Sequence, residues 1–425
     1  MMRNWIKIGA ILLAGTLLSV MLLAACGNSN GENGNGTSPT QPSPTGEQVL
    51  ITIGNHTDMT GVASTAMIVI TKALEDMAAY YTDEQLIPGV KFEVITFDGS
   101  YNPDYDIPGY EELKRQGADL FFGNVAPTPV NLKHLLERDK MVFFTAAPAL
   151  EAFDPPGWVF ACGQTLIQYE AATLLKWIAE NDPDFPKKTQ NRPAKVGGAF
   201  WKENYGEDCL EGAEEYANAH PDQYEWVGGF LSDWSFLWDE EVEALKDCDY
   251  VFPAIPPNQF VKQYRAGGGK ATFIGSDAHI AFLTDIERDN LWNEFDGMWL
   301  VKPSQWWNDE GDIIDLTYEI LHKYNTPDEV DEIMETGIGY MATQQIYVMF
   351  ELIKAASASV GPDNLNSQAI FDEAKSFSII VDDCHHSYNE DKRTSSDELA
   401  IYEIRASQKD IFRADPRWLP VIGDD

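Results

Sequence analysis

Apolar and polar positions along the chain fall into three regimes. Ile8 to Leu23 is almost wholly apolar and follows a short stretch carrying Arg3 and Lys7. Asn28 to Gln48 is Gly, Asn, Ser, Thr and Pro with almost no apolar side chain. From Val49 onward short apolar runs alternate with longer segments of helical spacing. Val49–Gly54, Val90–Phe97, Leu120–Phe122, Met141–Thr145 and Trp158–Ala161 read as strands. Ala63–Tyr81, Gly109–Gln116, Pro129–Arg138 and Thr165–Asn181 read as helices. The cycle then restarts. Ala194–Phe200, Tyr224–Phe230, Tyr250–Phe252 and Thr272–Ile274 are predicted strands, with helices at Glu207–Ala219, Glu240–Lys246 and Asn258–Ala266. Strands alternating with helices predict parallel sheets with right-handed crossovers, here in two series. The length from Val49 to Asp425 exceeds what one core fills, which agrees with two domains. Ligands of such sheets bind at the carboxyl ends of the strands.

The first regime carries its own chemistry. A charged stretch, an apolar run, and Ala24-Ala25 before Cys26 have the order of a secretory signal. The apolar run is short for a membrane span. With cysteine after the small residues, the segment resembles a bacterial lipobox. That resemblance implies cleavage before Cys26 and acylation of its thiol and new amino group. Two acyl chains give a stable anchor where one is marginal. The expectation is a signal peptide at 1–25, then a lipidated Cys26 and flexible linker over 26–48. The mature protein would sit outside the cytoplasm, lipid-anchored to the cell membrane. The linker composition buries too little surface to offset the entropy of ordering. Gly27-Asn28-Ser29-Asn30-Gly31 matches a nucleophile motif in letters but lacks the strand and helix that motif requires.

Charge narrows the partners. Asp and Glu number 68 against 30 Lys and Arg, a formal net charge of −38. Such a surface repels phosphates, so no nucleic acid is expected as a partner. After Cys26, the cysteines Cys162, Cys209, Cys248 and Cys384 stand at no metal-knuckle spacing, and an extracytoplasmic location permits disulfides among them. Cys384-His385-His386 reads as a polar loop, because adjacent side chains rarely converge on one ion. Gly267-Gly268-Gly269-Lys270-Ala271 lacks the first glycine and the hydroxyl of a phosphate loop. No catalytic set stands out, so neither an enzyme nor a cofactor is expected. Trp234, Phe236 and Trp238, and Trp299, Trp306 and Trp307, form two aromatic clusters. They read as packing more readily than as a pocket for a flat solute.

An ordered set of segments is similar to the type I solute-binding proteins of ABC importers, the branched-chain amino acid (Leu/Ile/Val) binding family. Ile53-Gly54 with Met59-Thr60-Gly61 resembles the opening strand and its loop. Phe122-Gly123-Asn124 with Thr128 resembles the glycine loop that carries a ligand-binding hydroxyl. Met141–Ala147 resembles the next strand, and Trp158-Val159-Phe160 the crossover strand. Asn204-Tyr205-Gly206-Glu207 resembles a helix start in the second domain. Asp249–Phe252 and Ile274-Gly275-Ser276-Asp277 resemble later strands. The set runs in order over most of Val49 to Pro420.

The resemblance implies an α/β chain with the two-lobed type I periplasmic-binding-protein fold. Each lobe would be a parallel sheet flanked by helices, with three crossings between lobes. These would fall near Gly163, near His279 and within Phe371–Glu390. Lobe 1 would be 49–163 plus 280–375, and lobe 2 would be 164–279 plus 376–425. A monomeric receptor would capture a small polar or amphipathic solute, amino acid-like by family. It would deliver that solute to the transmembrane subunits of an ABC permease. A sensory lipoprotein without transport, or an extracytoplasmic hydrolase, is the alternative. The implied ligand-binding residues are Thr65, Thr128, Ala147, Ala149, Tyr205, Ile255, Pro256 and Asp277. Thr128 would meet a carboxylate, Tyr205 would close over the solute, and Asp277 would pair an ammonium. Alanine at 149 removes a hydroxyl the family uses for amino acids. Ile255-Pro256-Pro257 makes one wall apolar and stiff.

Overall fold

Two parallel sheets with the same strand order organise the chain. The structure is a computed structural model that describes residues 48–185, 189, 192–233, 235–336 and 339–423. Cys26, the apolar start and the linker lie outside the described residues, as does Trp234. The first sheet contains β1 (Val49–Thr57), β2 (Val90–Asp98), β3 (Leu120–Phe122), β4 (Phe143–Thr145) and β5 (Val159–Ala161), in the order β2-β1-β3-β4-β5. All its pairings are parallel, with Ile53 facing Val94 on one side and Leu120 on the other. These strands are continuous apolar runs because both faces are covered, as parallel sheets require. Alternation decides the face. Leu120, Phe122, Phe144 and Phe160 enter one core with the helices Ser64–Asp83 and Thr343–Val360. Phe121, Phe143 and Val159 enter the other, against Asp106–Arg115 and Pro127–Asp139.

The second sheet repeats the pattern with β6 (Ala194–Trp201), β7 (Tyr224–Ser232), β8 (Tyr250–Phe252), β9 (Thr272–Ser276) and β10 (Trp299–Lys302), in the order β7-β6-β8-β9-β10. Two antiparallel strands then extend it, β13 (Glu398–Arg405) on β10 and β14 (Asp410–Arg413) on β13. The short β15 (Leu419–Pro420) also pairs β13. No described helix is long and apolar enough to cross a membrane.

One expected crossing moves. The sequence reading returned the chain to lobe 1 near His279, with 280–375 in that lobe. Yet Trp299–Lys302 pairs in parallel with β9, so the chain stays with the second sheet through Lys302. Leu300 and Val301 are buried there between two neighbours, a fully covered strand. Phe371–Glu390 touches the cores of both sheets, with Phe377 and Tyr388 in the first and Val381 packed against the second. Most of its second half is a hairpin, β11 (Ser378–Val381) against β12 (Cys384–Ser387). Residues 393–396 run alongside the connection after β5. Ala161 N–H donates to Arg393 O (2.8 Å), and Ser395 N–H donates to Gln164 O (3.0 Å).

The four described cysteines are buried free thiols. Trp238 and Trp306 lie in the second sheet's core, while Phe236 is exposed.

Candidate functional site

A cavity opens where the carboxyl ends of both sheets face each other. It holds about 1180 Å³ of space between protein atoms, open mouth included. The loop after β1 and the helix Ser64–Asp83 supply Val62, Ala63, Ala66, Met67 and Ile70. Loops after β3 and β4 supply Asn124, Ala126 and Ala146 to Pro148. Opposite them stand residues that follow β6, β8, β9 and β10, namely Glu203, Tyr205, Ile255, Pro256, Asp277 and Ser304, with Lys302 ending β10. The connection after β5 adds Gln164, Thr165 and Glu170. Apart from Gly339, Met341, Ala342 and Gln345, around the start of the helix Thr343–Val360, the contributors sit at or beyond a strand's carboxyl end or on the helix that follows, as doubly wound sheets place their ligands.

Of the residues expected from sequence, Ala147, Tyr205, Ile255, Pro256 and Asp277 line this cavity. Three do not. Thr65 is exposed, because Ala63, Ala66, Met67 and Ile70 use the cavity-facing side of its helix. Thr128 is buried, and its hydroxyl donates to Asp106 Oδ1 (2.9 Å), away from the cavity. Ala149 is wholly buried, just before the short helix Leu150–Phe153.

Hydrogen bonds set what the wall offers. Asp277 Oδ2 accepts from Gln164 Nε2 (2.6 Å) and Gln345 Nε2 (3.2 Å). The Tyr205 and Ser276 hydroxyls share a bond of 2.8 Å. His279 takes the Ser276 N–H on Nδ1 (3.0 Å) and donates from Nε2 to Pro253 O (2.9 Å). Burial pulls its pKa down to about 4, so it is a neutral brace for the Asp277 loop. Lys302 Nζ donates to Gln305 O (2.7 Å) and lies over the Trp306 and Tyr402 rings. Burial brings its pKa down to about 7, against the opposing pull of Asp277.

On the side of the first sheet the amides are already engaged. Ala146 N–H donates to Asn124 Oδ1 (2.7 Å) and Ala147 N–H to Thr145 Oγ1 (3.0 Å). Ala63 N–H donates to Asp58 Oδ2 (2.9 Å).

Sequence reasoning missed Glu170, Glu203, Gln164, Gln345 and Lys302. Signals existed for two of them. Glu170 falls on the apolar stripe of its helix, with Ile167, Ala171 and Leu174. Glu203 precedes the helix Asn204–Ala219 and caps it, accepting from Tyr205 N (2.9 Å) and Gly206 N (2.6 Å). Burial pushes the Glu203 carboxyl up to about 7 from 4.5, despite those two bonds. A raised folded pKa means stability falls as pH rises from about 4.5 to about 7, by about 1.4 kcal/mol per pH unit. Glu203→Gln should remove that slope. Melting temperatures of both proteins from pH 4 to 8 should diverge only inside this window, the wild type losing ground as pH rises. Parallel curves would refute the assignment.

A cavity shared by two matched doubly wound sheets, joined by strands that pass side by side, is the build of a two-lobed ligand receptor. The chain belongs to the periplasmic binding protein family, whose model matches residues 50–409. Similar solved structures include a branched-chain amino acid ABC transporter protein from Thermus thermophilus with bound valine, 18% identical (TM-score 0.70; 88% of this chain and 97% of that one covered). A fatty acid ABC transporter substrate-binding protein from Thermomonospora curvata is 15% identical (TM-score 0.70; 86% and 91% covered). A solute-binding protein from R. palustris in complex with 4-hydroxybenzoate is 14% identical (TM-score 0.70; 88% and 98% covered). These likenesses show the type I fold. No curated protein matches the chain in sequence.

Proposed function

We propose that this protein is an extracytoplasmic receptor that captures one small solute between its lobes and hands it to the permease of an ABC importer. The observation that carries the reading is the cavity built jointly at the carboxyl ends of both sheets. A solute touching both walls stabilises the closed form through contacts the open form lacks. Solved proteins of this fold include one with bound valine, one in complex with 4-hydroxybenzoate and one of a fatty acid ABC transporter, which supports a small organic solute. The strand pairings support one lobe built on β1 to β5 and the other on β6 to β10 with β13 to β15. Cys26 would carry the lipid that keeps the receptor beside its permease.

Thermal unfolding with a panel of amino acids, amides, amines and carboxylates tests the reading, after unfolding and refolding to strip co-purified ligand. A binder at about 100 times its Kd adds roughly 2.7 kcal/mol. The same compound should contract the protein in small-angle scattering. A flat panel, or stabilisation without contraction, would count against solute capture.

A further inference from the structure

We infer that the solute is an amphipathic amine, an organic cation with an apolar body and no carboxylate, whose nitrogen is held by Glu170. The inference rests on the receptor reading and names its substrate class.

Two buried polar groups in the cavity lack partners. Glu170 Oε2 and Thr165 Oγ1 make no hydrogen bond, although both residues line the cavity and are 2% and 0% exposed. Buried acceptors are normally satisfied, so an unmet pair in a binding cleft marks where a ligand donor belongs. Glu203 and Asp277 differ from Glu170. The first is met by two backbone amides and the second by two glutamine side chains.

A carboxylate finds poor reception. The amides beside the cavity at Ala63, Ala146 and Ala147 already donate to side chains of the protein itself. Among the described residues no arginine lines the cavity. The ammonium of Lys302 is engaged by Gln305 O and two aromatic rings, with Asp277 and Asp309 balancing its charge. The remaining wall (Ala66, Met67, Ile70, Ile255, Pro256 and Phe282) is apolar and suits a hydrocarbon body.

Proton balance follows from the same surroundings. Burial, and then the charge of Asp277, hold the Glu170 carboxyl well above the usual range. Tyr205 and Cys209 also face it, and both are neutral. Empty, Glu170 is therefore favoured toward its protonated form. An ammonium arriving beside it favours the carboxylate, and the displaced proton leaves to solvent.

Calorimetry on the refolded full chain with n-hexylamine, hexanamide, hexanoate and norleucine tests this. Hexylamine should bind at least about tenfold tighter than the other probes. It should release roughly one proton per molecule bound, read from buffers of different ionisation heat, and bind more tightly as pH rises from 6 to 8. Glu170→Gln, isosteric with the protonated acid, should melt like the wild type, bind hexylamine at least about tenfold more weakly and release no proton. If that variant misfolds, wild-type proton release decides alone. Equal or tighter binding of hexanamide, hexanoate or norleucine overturns the amine and leaves the receptor reading standing. No hexylamine binding, or binding without proton release, also overturns it. A flat broad panel, or stabilisation without contraction in scattering, removes the receptor reading as well.

Discussion

Asp76→Ala should cost about 3–5 kcal/mol of stability, the loss expected when one member of a buried charged network is deleted. Asp76 is buried on the helix Ser64–Asp83. Its Oδ2 accepts from the Tyr340 hydroxyl (3.0 Å) and from Asn325 Nδ2 (2.8 Å), while Lys72 Nζ donates to Oδ1. Lys72 lies one turn away on the same helix, but Asn325 and Tyr340 are distant in sequence, so the carboxylate ties the cavity's helix to the segments that return from β10. Alanine would strand the wholly buried Tyr340 hydroxyl and leave Lys72 without its ion pair. Chemical denaturation should show the midpoint falling sharply, with Asp76→Asn losing less because it keeps an acceptor. A loss under about 1 kcal/mol, the worth of an ordinary hydrogen bond, would show that the network relaxes.

Gly212→Val should cost about 3 kcal/mol or more and loosen the cavity with it. At Gly212 the helix Asn204–Ala219 crosses the helix Ile167–Asn181. An added Cβ would sit 2.4 Å from both Gln168 Cα and Gln168 O. Backbone cannot turn aside as a flexible side chain does, so the helices must separate. One of them carries Glu170, and the other begins at Glu203 and Tyr205. The variant should therefore melt earlier and bind solute more weakly, and Gly212→Ala should follow in the same direction with a smaller loss. Wild-type melting in Gly212→Val would refute the close crossing.

The elements were legible because their signals are local. Val49–Gly54 and Leu120–Phe122 are apolar runs bounded by turn residues, and both are strands of the first sheet. The helices predicted at Ala63–Tyr81 and Asn258–Ala266 appear at Ser64–Asp83 and Asn258–Ala266. Trp299–Lys302 misled, because one short apolar run reads the same in either lobe and only its pairing with β9 and β13 assigns it. The candidate site divides in the same way. Tyr205, Ile255, Pro256 and Asp277 lie within a few residues of strand ends, where the family resemblance implied them. Thr128 looked equally placed, yet its hydroxyl turns to Asp106, a partner that no spacing announces.

By itself the sequence determined the alternation of strands and helices, the two matched series and the loops that carry the cavity. Periodicity and turn chemistry are written within a few residues of each other. Only the tertiary structure decided which polar groups are spent on the protein and which are left over. It capped the amides at Ala146 and Ala147, engaged Lys302, and left Glu170 and Thr165 each with an unpaired polar atom. Desolvation and hydrogen-bond satisfaction depend on everything that packs around a group, and most of those neighbours are distant in the chain.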